Sequence, residues 1–309
     1  MDNQYDVIIL GGGIASMTAA IYAAQANLKT VILEKSICGG LVNTTYKISN
    51  FPSHTQISGQ ELMEAVRDQV EALGVDIREV IEVDSLSLKG DLKAAKTDEG
   101  ELKAPVMILA TGRKPKALPI DTDCEQIHYC AICDGSGYKG KRVLVVGGGN
   151  SGVEESQYLL SLGVEHITLV EQMERLFASK QAQNELLSHG SKVDVHLNTF
   201  VEAIDTEEGN LSQVQLKNTK TGATNKIDVN GIFIYMGHEP QNRLFKDAVA
   251  LTSQGYIKAN ENMETNIPGV FAAGDIVQKK YCQITTAMND GAIAALSAGE
   301  YIRKLQHEA

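Results

Sequence analysis

No long apolar run occurs in the 309-residue sequence; its hydrophobic residues, 43% of the total, are interrupted throughout by glycine, polar or charged positions. A helix that spans a bilayer needs about 20 consecutive apolar residues, so no membrane partner is expected. Positive charge is also in short supply. There are 28 Lys and Arg against 39 Asp and Glu, a formal net charge of -11, which argues against a nucleic acid or an anionic membrane as partner. The opening Met1-Asp2-Asn3-Gln4-Tyr5-Asp6 is acidic and the apolar residues after it stop at Gly11. A signal peptide is therefore not expected, and a cytoplasmic location is. Cysteine is sparse as well. Five residues with one close pair fit a cytosolic protein with one functional pair better than a secreted disulfide scaffold.

Glycine, by contrast, is plentiful at 28 residues, as needed where backbone must approach phosphate. Residues 5–10 read as a buried parallel strand, Gly11-Gly12-Gly13 as a turn, 14–26 as a helix and 30–33 as a strand ending at Glu34. That is a βαβ unit with an acidic residue about 20 positions after the glycines, the dinucleotide pattern. The glycines admit a pyrophosphate to the helix N-terminus, and Glu34 can accept from ribose hydroxyls. Ser16 stands at the third glycine position. A second copy follows: strand 142–146, Gly147-Gly148-Gly149, a helix through Leu162, and strand 166–170 ending at Glu171. Two copies make a chance match far less credible than one.

Elsewhere, Ser58 is expected to cap a helix over 59–73, with Glu61 completing a capping box. Residues 75–98 read as a β-meander around Gly90-Asp91, 106–110 as a buried strand, and 114–119 as a linker containing two prolines. Residues 193–214 read as strand and hairpin, 231–236 as a buried strand, and 285–305 as the closing helix.

Ahead of the second copy stands Cys130-Ala131-Ile132-Cys133-Asp134. This spacing lets both sulfurs close one small ring, and a nearby helix start favours the thiolate. A dithiol beside a nucleotide fold suggests that electrons move between a nucleotide cofactor and a disulfide. Three other readings of these residues remain. Cys124, His128, Cys130 and Cys133 offer four soft ligands for zinc, although structural zinc sites usually combine two separated ligand pairs. An oxidase of small-molecule dithiols using oxygen, or a non-catalytic sensor holding a nucleotide cofactor and the dithiol, would use the same motifs.

Together the motifs resemble the low-molecular-weight thioredoxin reductases over essentially the whole chain. The carrying residues are Gly11, Gly13 and Glu34, then Asn50-Phe51-Pro52, Ala110-Thr111-Gly112 and Cys130 to Asp134. They continue with Gly147 to Ser151, Val153-Glu154-Glu155, Phe271 to Asp275 and Asp290-Gly291-Ala292. The resemblance implies an α/β fold of two Rossmann-like three-layer nucleotide-binding domains, the second inserted in the first. Residues 1–116 and 245–309 would bind FAD. Residues 117–244 would form a pyridine-nucleotide-type domain carrying the dithiol. FAD would be held by Gly11, Gly13, Glu34, Lys35, Gly40, Asn50, Thr111, Gly112, Gly274, Asp275, Gln283 and Ile284, and no metal is implied. Cys133 would lie against the flavin, Cys130 would attack the disulfide of a thioredoxin-like partner, and Asp134 would shuttle protons. The family is typically a homodimer whose domains swivel.

Departures from the family pattern concern the electron donor. NADPH-using members carry a histidine and arginines after the second strand of the middle domain. Here Glu171, Gln172, Met173 and Phe177 occupy those positions. A carboxylate at the ribose position repels a 2′-phosphate and accepts from two hydroxyls, so NADPH is not the expected donor. NADH, on Gly147, Gly149, Gly152 and Glu171, or a ferredoxin remains. Leu41 replaces a common glutamine and Cys282 the usual arginine, a tilt toward unusual donor chemistry.

Overall fold

The computed structural model describes residues 4–308 and divides into two compact units, 1–114 with 239–309, and 115–238. The crossings lie at 114/115 and 238/239, against 116/117 and 244/245 expected from the sequence. The return crossing comes earlier because Gln241 is tied into the first unit. Thr111 Oγ1 donates to its carbonyl at 2.6 Å, and its amide donates to the Thr111 carbonyl at 2.9 Å.

In the first unit, five parallel strands are ordered Val270–Ala272, Val106–Leu109, Val7–Leu10, Thr30–Leu33 and Asp76–Arg78. Strand side chains alternate between faces, and here they build two cores. Val7, Ile9, Ile32, Val106 and Ile108 meet the helices Ile14–Gln25 and Ile284–Glu308. Ile8, Leu10, Val31, Leu33, Met107 and Leu109 meet an antiparallel sheet of Val83–Ser87, Lys93–Thr97 and Gly100–Ala104. Each such fully buried aliphatic side chain contributes about 1.5–3 kcal/mol. Both faces of the sheet are covered, which is why its strands are almost wholly apolar.

The capping box forms as expected. Glu61 N–H donates to Ser58 Oγ at 3.2 Å and Ser58 N–H to Glu61 Oε2 at 3.1 Å, starting the helix Gly59–Ala72. The meander differs from expectation. Asp76–Arg78 leaves it to pair in parallel with Thr30–Leu33, because a helical crossover returns the chain to the same sheet. The antiparallel strands therefore begin at Val83 and run on to Ala104.

The second unit repeats this design. Its parallel sheet runs Val193–Leu197, His166–Glu171, Arg142–Val146, Gly231–Ile234 and Ile127–His128. Val143, Val145, Ile167, Leu169 and Phe233 face the helices Asn150–Ser161 and Lys180–Leu187. Leu144, Val146, Val170, Ile232 and Ile234 face the antiparallel strands Thr199–Glu207 and Asn210–Asn218. Two Rossmann-like three-layer α/β units result. The edge strand Ile127–His128 delivers the chain directly to Cys130.

Candidate active site

The two glycine turns are built alike at the atomic level. In the first, Glu34 Oε2 accepts from Gly12 N–H at 2.6 Å and Oε1 from Ser36 N–H at 2.9 Å. In the second, Glu171 Oε2 accepts from Gly148 N–H at 2.7 Å and Oε1 from Met173 N–H at 2.9 Å. Each carboxylate stands at the end of its strand beside a helix N-terminus, where a ribose and a pyrophosphate would lie. Gly11 and Gly147 adopt φ of +104° and +114°. A side chain there would strike the Ala110 and Tyr235 carbonyls respectively. Gly13 and Gly149, which precede the two helices, face open space.

Other residues gather at the same end of the first sheet. Gly40 lies against Gly13, and Gly274 against Ala15. Asp275 pairs with Arg113 Nη2 at 2.7 Å and with Lys279 Nζ at 3.2 Å, and Lys279 also reaches Asp290 at 2.8 Å. Arg113 Nε is buried and has no hydrogen-bond partner among the described residues. Cys282 is half-buried beside Asp275, and burial pushes its thiol up. Asn50 Nδ2 donates to Gln283 Oε1 at 3.1 Å, just before Ile284 opens the last helix.

The structure thus brings Gly11, Gly13, Glu34, Gly40, Gly274 and Asp275 around one turn, and pairs Asn50 with Gln283. Thr111 and Gly112 instead hold Gln241. Lys35 is exposed and pairs with Glu82 at 2.9 Å.

The dithiol lies in the second unit. Cys130 and Cys133 form a disulfide with their Cα atoms 5.4 Å apart. Cys130 is buried at 9% exposure, whereas Cys133 is exposed. Cys130 begins the short helix Ala131–Asp134, and its sulfur accepts from Cys133 N–H at 3.1 Å. Asp134 Oδ2 lies 3.2 Å from His128 Nδ1, and His128 Nε2 lies 2.6 Å from Tyr138 Oη. Among the described residues no group of three or more His, Cys, Asp or Glu is placed to hold a metal ion.

In the sequence His128 reads only as a candidate zinc ligand, and Tyr138 goes unnoticed. The signal that points to Tyr138 is Gly231, on the strand paired with Ile127–His128. A Cβ at Gly231 would collide with the Tyr138 ring. Gly231→Ala is therefore expected to cost about 1–3 kcal/mol by overpacking, read as a lower denaturant midpoint. An unchanged midpoint would show the ring free to move.

A family model described as pyridine nucleotide-disulphide oxidoreductase matches residues 5–291. The chain belongs to this family. Its relatives include the 34.2 kDa protein in the rubredoxin operon of Clostridium pasteurianum, 40% identical over 97% of this chain and 98% of that one. The thioredoxin reductase of Bacillus subtilis is 38% identical over 98% and 96%. The crystal structure of Lactococcus lactis thioredoxin reductase superposes with a TM-score of 0.90 at 35% identity, over 97% and 99% of the two chains.

Within the family this flavoprotein groups with the low-molecular-weight thioredoxin reductases, oxidoreductases acting on disulfides. FAD is the implied cofactor, and the first unit fits it. The Glu34 carboxylate suits a ribose, the open space at Gly13 a pyrophosphate, and the buried Arg113 N–H has a donor to spare. No helix among the described residues is long and apolar enough to cross a membrane.

Proposed function

We propose that the chain is a cytoplasmic, homodimeric thioredoxin-disulfide reductase. In this reading FAD is held by the unit built from both ends of the chain, and Cys130–Cys133 passes electrons to a thioredoxin-like protein. The observation that carries it is the disulfide itself, on a short helix just ahead of a second dinucleotide turn, with one sulfur buried and the other residue exposed. FAD, when bound, supplies the electron pair.

The chain's own groups do the rest. Cys133, the exposed residue, would take up that electron pair and a proton from water as its bond to Cys130 breaks, ending as a thiol, with Cys130 left as the thiolate, favoured by the Cys133 N–H at 3.1 Å and the helix start. The Cys130 thiolate then attacks the partner's disulfide, which requires its sulfur to come out of the buried position. Asp134 takes the Cys133 proton as Cys133 closes back on Cys130 and passes it to the departing sulfur, and the partner leaves with two electrons and two protons, the other proton coming from water onto the thiolate released by the first attack.

The donor is a nucleotide without a 2′-phosphate, NADH, held at Gly147, Gly149, Gly152 and Glu171. Glu171 supports this by reproducing the ribose geometry of Glu34. Ferredoxin is the second reading, favoured by the loss of cations at Glu171, Gln172, Met173 and Phe177. Anaerobic mixing with NADH, NADPH and reduced ferredoxin, each in turn, separates them. NADH is expected to bleach the flavin band and NADPH to do so far more slowly. Bleaching by ferredoxin alone would replace NADH. Glu171→Ala is expected to weaken NADH about tenfold or more, since it removes a charged acceptor; an unchanged NADH response would remove the nicotinamide donor from this scheme.

A further inference from the structure

His128 touches both Asp134 and Tyr138, at 3.2 and 2.6 Å. Its ring packs on Phe233, with centroids 5.0 Å apart, and meets Tyr138 edge-on at 5.2 Å. These contacts fix its orientation. They also fix its tautomer. A carboxylate can only accept, so Nδ1 must carry the proton that faces Asp134. Nε2 is then the acceptor, and Tyr138 Oη–H donates to it. Burial supports both assignments, since it holds the imidazole below its ordinary range and pushes Tyr138 up to about 12. Tyr138, His128 and Asp134 therefore form one directed chain of hydrogen bonds, ending on the carboxylate that directly follows Cys133.

We propose that His128, oriented by Tyr138, is a positioning residue that aims Asp134 for proton transfer during thiol–disulfide exchange. The inference deepens the proposed function and rests on Asp134 carrying the proton. In the exchange, the Cys133 thiol gives its proton to Asp134 while its sulfur bonds to Cys130. The bond between Cys130 and the partner's sulfur breaks, and Asp134 passes the proton to the departing thiolate. Electrons and protons balance without a further reagent. The Nδ1–H bond engages one carboxylate oxygen and leaves the other for the thiol. Other groups bear on this chain. Cys124 faces Tyr138, Lys141 Nζ lies 5.2 Å over the Tyr138 ring, and Tyr235 stands near both Asp134 and Glu155.

The test is the rate of exchange between the pre-reduced holoenzyme and a small aromatic disulfide, dithiobis-nitrobenzoate, with thermal melts confirming the fold. His128→Phe keeps a ring against Phe233 but donates nothing. It is expected to slow exchange about tenfold, because Asp134 loses the bond that aims it. His128→Asn, which returns an N–H near the Nδ1 position, should recover most of the rate, and Tyr138→Phe should give a smaller loss than His128→Phe. Placed in an Asp134→Asn background, His128→Phe should add nothing, as expected for groups acting as one unit. An additive loss there, or no recovery in His128→Asn, would make His128 merely structural and overturn the inference. If Asp134→Asn exchanges as fast as the unchanged protein, the role of Asp134 itself fails; if only that variant is slow, the inference about His128 alone fails.

Discussion

Cys133→Ser is expected to leave a yellow protein whose flavin is still bleached by its donor, with disulfide reductase turnover down by about a thousandfold or more. Serine occupies the same exposed place but cannot form the bond to Cys130 that stores the electron pair between half-reactions. Burial pushes the Cys38 thiol up to about 12 and raises Cys124 and Cys282 as well, which disfavours the thiolate at each of them. Cys130→Ser should lose turnover equally, since either half of the pair is useless alone. The measurement is steady-state reduction of a thioredoxin-like disulfide, beside flavin absorbance under the same donor. Retained turnover in either variant would show that electrons reach the substrate by another route.

Glu155→Gln is expected to stabilise the protein, and to do so more as pH rises. Glu155 lies on the helix Asn150–Ser161, and its Oε2 is buried without a hydrogen-bond partner among the described residues. Burial, and then the neighbouring Glu154, pushes its carboxyl up to about 7. The unfolded chain has an ordinary glutamate near 4.3. Between those values the native state binds more protons than the unfolded state, so stability falls as pH rises through that window. Each tenfold difference in proton affinity between the two states is worth about 1.4 kcal/mol, so the loss reaches about 4 kcal/mol once the native carboxyl has ionised. Glutamine keeps the shape and removes the titration. Urea denaturation at about pH 5 and about pH 8 should show the variant's advantage growing by about 2–3 kcal/mol between them. An advantage of equal size at both would mean that Glu155 does not ionise in this window. The Tyr235 hydroxyl beside it is raised by burial and then by Glu155.

Short-range features are legible in the sequence. The duplicated strand–turn–helix–strand units, the Ser58–Glu61 box and the dithiol motif each depend on residues within one or two elements. Apolar periodicity and turn chemistry act over that range. The meander is misleading at one end because Asp76–Arg78 is too short to announce which sheet it joins. The return crossing is hidden because Gln241 finds its partner, Thr111, 130 positions back.

The residues alone determined that two dinucleotide-type units exist and that a C-x-x-C pair stands ahead of the second, since spacing and alternation follow from covalent geometry. Only the tertiary structure decided what each site group touches. Parallel strands and their crossovers bring Arg113 to Asp275 and Asn50 to Gln283, across 162 and 233 positions. The edge strand beside Gly231 seats Tyr138 so that His128 meets Asp134. Such meetings depend on which strand ends lie side by side, and that order is set by burying both faces of each sheet at once.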